Sequence, residues 1–226
     1  MAAIAIVGAG PGLGLSIAEK FGNEGFQVAL ISRSKDNLDV LTTRLQEAGV
    51  TAASFPADVT DPAALTSALK QASARFGDID VLEYSPYGGL VQTSPLEVAV
   101  DNLEPQIAQI LYGAITATRA VLPPMLKARR GTLLFTTGGG AVNPFPMLAT
   151  MNIAQAGLRN WVLNLNIVLA EHGIHAASVA ISVFIGATAP EGVPHQDPDD
   201  IAKVYWDLHV KRDRAEHHIA QPRFSP

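Results

Sequence analysis

Seven residues near the amino end, Gly8-Ala9-Gly10-Pro11-Gly12-Leu13-Gly14, have the composition and spacing to hold an anion. Glycine has no Cβ, so phosphate oxygens can come close to the main chain there. The apolar run Ala3-Ile4-Ala5-Ile6-Val7 before them reads as a strand, and Leu15 to Phe21 after them reads as a helix. A helix start at that point aims free N–H groups and the positive end of its dipole at one spot. The diphosphate of a dinucleotide is the natural occupant, cradled by Gly8, Gly10, Gly12, Leu13 and Gly14. A glycine turn that binds nothing is the competing reading, and the strand and helix flanking it weigh against that.

The spacing narrows the choice. The common dinucleotide fingerprint G-x-G-x-x-G would need glycine at position 13, where Leu13 stands. Gly8, Gly12 and Gly14 instead spell G-x-x-x-G-x-G, and in this the chain resembles the short-chain dehydrogenase/reductase family. The resemblance runs through the order of elements from Ile4 to about Ala202. It implies a nicotinamide coenzyme and hydride transfer to or from a small carbonyl or alcohol. It also implies adenine contacts from Asp58-Val59, and places Ser85 and Pro86, where the family has Asn-Asn-Ala-Gly, beside the coenzyme. Asp58 as a plain turn residue is the alternative.

The end of the second strand decides between coenzymes. An acid there accepts the ribose hydroxyls of NAD and repels the extra phosphate of NADP. This chain has Ser32 followed by Arg33, Ser34 and Lys35, a neutral hydroxyl and a guanidinium fork suited to phosphate. NADP(H) is therefore expected over NAD(H), against the alternative of a surface turn that only caps the next helix.

The same resemblance implies a proton relay of asparagine, serine, tyrosine and lysine, in which a tyrosine of lowered pKa protonates the carbonyl oxygen. Ile110, Gly138, Met151 and Gln155 occupy those four positions. No other tyrosine has lysine four places on. Tyr84, Tyr87, Tyr112 or Thr137 is left as a substitute donor, with packing as the competing role. The histidines offer little: His172 and His175 straddle a helix end, His195 lies in a loop, His217 and His218 lie in the tail, and all read as surface or capping groups. Ser182 and Thr188 lack the strand-to-helix turn of a nucleophile elbow. Two functions of different class follow: an NADP(H)-dependent oxidoreductase with a rearranged or missing relay, or a catalytically inactive NADP(H)-binding sensor or scaffold. In the first, Phe145, Met147, Met151 and Phe184 would make an apolar pocket over the nicotinamide.

The elements that must position these groups alternate. Gln27 to Ser32 is a second strand, 36–48 a helix with Leu38, Leu41 and Leu45 on one face, and 51–56 a third strand. Asp61-Pro62 caps a helix with Leu65, Leu69 and Ala72 inward. Strands follow at 79–82, 132–136 and 174–183, with long helices at 95–126 and 149–171. Asp197 starts a last helix, whose first turn places Asp199 and Asp200 where the dipole favours acids. Continuously apolar strands alternating with helices imply a parallel sheet covered on both faces, a Rossmann-type doubly wound α/β fold in one domain over 1–226. Residues 186–197 read as a short mobile substrate loop and 211–226 as a polar tail. The resembling family ends in a further strand that this chain is expected to lack.

Composition bounds the partners. The net charge is −5, there is no cysteine, and 48% of the residues are hydrophobic. Disulfides, thiolate metal sites and a cysteine nucleophile are excluded. The basic clusters 127–130 and 211–214 fall at helix ends, which argues against nucleic acid, and no apolar run approaches membrane-spanning length. A cytoplasmic protein with no metal is expected. Surplus apolar residues on the two long helices (Ile107, Ile110, Leu111, Ile115, Trp161, Leu165, Val168) point to a homodimer, with a tetramer as the alternative.

Overall fold

The computed structural model describes residues 1–220. Its centre is a seven-stranded, wholly parallel sheet, laid out in chain order by β1 (Ala3–Val7), β2 (Gln27–Ile31), β3 (Ala52–Ser54), β4 (Val81–Tyr84), β5 (Gly131–Gly138), β6 (Ile174–Ile181) and a last strand at Glu216–Ile219. The spatial order places β3, β2 and β1 on one side of the switch point and β4, β5, β6 and the last strand on the other. Both neighbours of β1 run parallel to it, Ile6 pairing with Leu30 and with Glu83. Crossover helices therefore cover both faces, and the doubly wound architecture stands as expected.

The alternation of side chains along each strand sorts the core into two layers. Ala3, Ala5 and Val7 face α3 (Pro62–Phe76), α5 (Gly113–Ala128) and α6 (Ala149–Leu169). Ile4 and Ile6 face α1 (Leu13–Asn23), α2 (Lys35–Glu47) and α7 (Pro198–Lys211). Asp61 caps α3 by accepting from the N–H groups of Ala63 and Ala64 at 2.9 and 3.0 Å. Asp197 does the same for α7 from Asp199.

Between β4 and β5 the chain runs through a loop over 85–99, not α-helical from 95 as the sequence suggests, and then one nearly continuous helix from Val100 to Ala128. It comprises α4 (Val100–Ile107), a π turn over Ala108–Tyr112, and α5, which runs through Pro123 and Pro124 to Ala128. The π turn leaves the Gln109 carbonyl available, and the Tyr84 hydroxyl donates to it at 2.5 Å. Gly113 makes this possible, because a Cβ there would overlap the Tyr84 hydroxyl.

Two expectations are corrected. The closing strand is present: Glu216–Ile219, labelled β9, pairs with β6 in register Ser178↔Glu216 to Ile181↔Ile219. Its sequence Glu-His-His-Ile carries no apolar run because it is an edge strand with one neighbour, and edges are commonly polar. The reading of 211–226 as tail is overturned for that stretch, while 221–226 lie outside the described residues. The 186–197 loop is short but closed at its base, where β7 (Phe184–Ile185) pairs with β8 (His195–Gln196). Among the described residues no helix is long and apolar enough to cross a membrane, and no group of three or more His, Cys, Asp or Glu is placed to hold a metal ion.

Candidate functional site

The carboxyl ends of β1, β4, β5 and β6 form one rim, the side of such sheets where ligands sit. The glycine loop leaves β1 there. Gly8 has φ +99, a conformation that favours glycine, and its N–H donates to the Ile31 carbonyl at 2.8 Å. A Cβ on Gly8 would overlap the Ser85–Pro86 main chain, so the loop seats against the end of β4. Gly14 lets α1 close on Ala9, where a Cβ would stand 3.1 Å from its Cα. Gly12 is different, since a Cβ there would meet nothing within 4 Å. Helix α1 begins with no side-chain cap and no acid in its first turn. With no side chain capping this helix start and no acid competing there, these residues fit a diphosphate.

Ser32, Arg33 and Ser34 follow β2 on the same rim. Arg33 and Ser34 are exposed, and Ser34 caps α2 by accepting from the Asn37 N–H at 3.3 Å. Lys35 is turned along α2 onto Asp39. The Asp58 carboxyl is held below the usual carboxylate range, first by the Thr60 backbone N–H, then by the Thr60 hydroxyl, with the Arg33 charge adding to both. One Asp58 oxygen accepts both Thr60 donors, at 2.8 and 2.7 Å, while the buried Val59 secures the turn.

At the other end of the rim Ile110, Met151 and Gln155 line one small recess with Tyr87 and Gln109. Gly138 stands beside them, and a Cβ on it would lie 2.8 Å from Gln155 Oε1. The structure thus brings together the four positions singled out in the sequence, but an amide, a thioether and a sec-butyl group fill the space. The Met151 sulfur accepts from the Val91 N–H at 3.4 Å, tying down the segment after β4. Of the substitute donors, Tyr84 and Thr137 are ruled out by burial, at 1% and 2% exposure. Tyr84 spends its proton on Gln109, and burial raises its pKa far above the usual phenol value. Thr137 faces Ser178 inside the sheet. Tyr87 and Tyr112 remain exposed. Met151 is buried, whereas Phe145, Met147 and Phe184 are about half exposed and form a rim, not a closed pocket.

Sequence reasoning missed a buried acid. Glu83 lies wholly inside the sheet's α1/α7 face, accepting from the Ser85 and Thr136 hydroxyls at 2.9 Å each. Thr136 Oγ1 is also 2.6 Å from the Tyr205 hydroxyl of α7. Burial pushes the Glu83 carboxyl up to about 8, against the opposing pull of those two hydrogen bonds, so at neutral pH it is largely protonated. The signal was visible as a lone carboxylate in the strand Val81-Leu82-Glu83-Tyr84. His175 is corrected as well: it is buried within β6, not a surface or capping group, and burial lowers its pKa.

A family model described as short chain dehydrogenase matches residues 2–191. The chain belongs to that family. It is 27% identical over 202 residues, 88% of its length and 86% of the relative's, to an uncharacterized oxidoreductase of Staphylococcus aureus. A very-long-chain 3-oxoacyl-CoA reductase of Aspergillus terreus is 29% identical over 179 residues, 75% of this chain, which spans about half (49%) of that relative. Among solved structures, a short-chain dehydrogenase from Rhodopseudomonas palustris superposes with TM-score 0.85 at 24% identity, covering 98% of this chain and 99% of the other. An NADPH-bound short chain oxidoreductase from Pseudomonas aeruginosa, described as containing an atypical catalytic center, superposes with TM-score 0.87 at 17% identity, covering 99% and 98%. As a short-chain dehydrogenase this protein has the fold and the oxidoreductase kinship that its glycine spacing implied.

Proposed function

We propose that this short-chain dehydrogenase is an NADP(H)-dependent oxidoreductase for a small apolar carbonyl or alcohol, working without the usual proton relay. The observation that carries the reading is the open, uncapped glycine loop with Arg33 exposed beyond the next strand. Gly8, Gly10, Gly12, Leu13 and Gly14 hold the diphosphate, Ser32, Arg33 and Ser34 the phosphorylated ribose, Asp58 and Val59 the adenine edge, and Ser85 and Pro86 the floor between them. Bound reduced coenzyme supplies the hydride for carbonyl reduction. The exposed rim of Tyr87, Leu90, Phe145, Met147 and Phe184 favours an apolar substrate. The Aspergillus relative, by its name a reductase of oxoacyl groups, is consistent with carbonyl chemistry.

Calorimetry tests the coenzyme assignment. NADPH is expected to bind more tightly than NADH, and Arg33→Ala to weaken NADPH by about 10- to 100-fold, the scale of one or two charge-assisted hydrogen bonds, while leaving NADH unchanged. Equal affinities in the wild type would remove the NADP preference. The second reading, a binding protein without turnover, draws on Ile110, Gly138, Met151 and Gln155. It predicts the same heats but no NADPH consumption with aldehydes, ketones or quinones.

The same proposal takes the protein as a cytoplasmic homodimer. Ile107, Leu111, Trp161 and Leu165 pack against the core, so the surplus is smaller than the sequence suggests. Tyr112, Ile153, Ile167 and Val168 stay exposed on the long helices. Light scattering is expected to give twice the chain mass of 23.8 kDa, and a monomer at micromolar concentration would contradict it.

A further inference from the structure

The rim holds one hydroxyl–imidazole pair that the sequence kept 36 residues apart. Ser182 is the first residue past β6, and its Oγ stands 2.7 Å from Nε2 of His218 on β9. The seventh strand creates this meeting: Ala180 pairs with His218, and the Ser182 N–H donates to the Ile219 carbonyl at 2.8 Å. The neighbouring loop makes room for it. Gly139, directly after β5, has no side chain, and a Cβ there would overlap Ser182 Oγ. Its neighbours Gly138 and Gly140 back onto Gln155 and Asn152 of α6 in the same way, so the pair lies beside the recess that the relay positions occupy.

A fixed ion pair stands near the imidazole. Glu216 lies two residues before His218, on the same side of β9, and Arg159 of α6 grips it with two nitrogens, one at 2.8 Å. That ion pair holds the Glu216 carboxyl below its usual range, and the charge of a protonated His218 adds to the effect. The other charged or titratable groups around His218 are His217 and Arg214 on its own segment, which contact each other at 3.3 Å. Ser178 of β6 and Ser182 just past it contribute only hydroxyls. Ser182 is exposed and His218 half-buried, so the pair reaches solvent.

We propose that Ser182 and His218 deliver the proton in this enzyme, in place of the absent tyrosine and lysine. This step rests on the oxidoreductase reading above. As the carbonyl carbon gains a hydride from the coenzyme, its oxygen takes the Oγ proton of Ser182. Ser182 Oγ takes the Nε2 proton of protonated His218, which is left neutral and recharges from solvent. The carbonyl is reduced to the alcohol, the coenzyme is oxidised, and one solvent proton is consumed. Ser182 is the catalytic residue and His218, acting through it, the positioning residue. Imidazole suits the role because its proton exchanges between pH 5 and 8.

The test begins with the wild-type protein and needs no substrate. Histidine Cε1–H resonances are titrated by NMR in the free protein and in its NADP+ and NADPH complexes, with His218 assigned from His218→Gln. The oxidised nicotinamide is cationic, so a pair beside it should show a His218 midpoint lower with NADP+ than with NADPH, by about half a pH unit. His172, His175 and His209, at the opposite end of the sheet, should not move. With octanal as probe, Ser182→Ala and His218→Gln should slow NADPH consumption about 100-fold and flatten its fall toward alkaline pH, with NADPH affinity unchanged. A His218 midpoint that is the same in both complexes, or an octanal rate unaffected by both substitutions, overturns the proposal and leaves Ser182–His218 as a clip for the edge strand. Absence of any heat on mixing with either coenzyme would instead overturn the oxidoreductase reading itself.

Discussion

Gly10→Asp is expected to abolish coenzyme binding while leaving the fold intact. A side chain at Gly10 would meet nothing closer than the Gly8 carbonyl at 3.9 Å, and the residue's φ lies outside the left-handed region. The new carboxylate would nevertheless stand beside the uncapped start of α1, where the diphosphate is proposed to lie. Two like charges about 4 Å apart repel by about 4 kcal/mol at the effective dielectric of a protein surface, or about three orders of magnitude in Kd. Calorimetry should show that loss, and thermal melting of the coenzyme-free variant should stay close to wild type. Retained affinity would mean that the anion is bound elsewhere. Gly8 cannot serve for this experiment. Its φ of +99 and the overlap of any Cβ with Ser85–Pro86 would damage the loop's seat on β4, confounding lost binding with lost structure.

The second large effect concerns Glu83. An ordinary glutamate titrates near 4.5, and burial raises this one to about 8 in the folded protein. Between those values the native state holds a proton that the unfolded chain has released, so stability must fall as pH rises. The contribution is complete below 4.5, declines on the order of 1 kcal/mol per pH unit and is gone above 8. His209, pushed by burial and Arg212 down to about 4, acts in the opposite sense, since its native state binds fewer protons than the unfolded chain. Comparison with Glu83→Gln separates the two. The amide keeps the shape and can still serve the Ser85 and Thr136 hydroxyls. Urea unfolding at pH 5, 6, 7 and 8 should show wild type losing several kcal/mol relative to the variant across that range. Parallel curves for the two proteins would show that Glu83 is not the titrating group.

The glycine spacing and the alternation of apolar strands with helices were enough to determine the architecture and the place of the glycine loop within it, because both are local patterns. Gly8 and Gly12 sit between β1 and α1 and Gly14 in the first turn of α1, as their order requires, and Leu65, Leu69 and Ala72 turn inward on α3. Ile110, Gly138, Met151 and Gln155 were legible as departures one residue at a time, although only their common recess showed what fills the space. Tertiary structure alone decided the rest. Tyr84 looked like a free hydroxyl until a π turn 25 residues away offered it a carbonyl. Glu83 became a neutral acid only when α7 closed over it, since desolvation depends on every layer of the core. Ser182 met His218 because a polar edge strand, which carries no periodic signal of its own, paired with β6 and fixed the register between them. A chain's sequence announces its local patterns, but the protonation and partners of a side chain depend on neighbours distant in sequence.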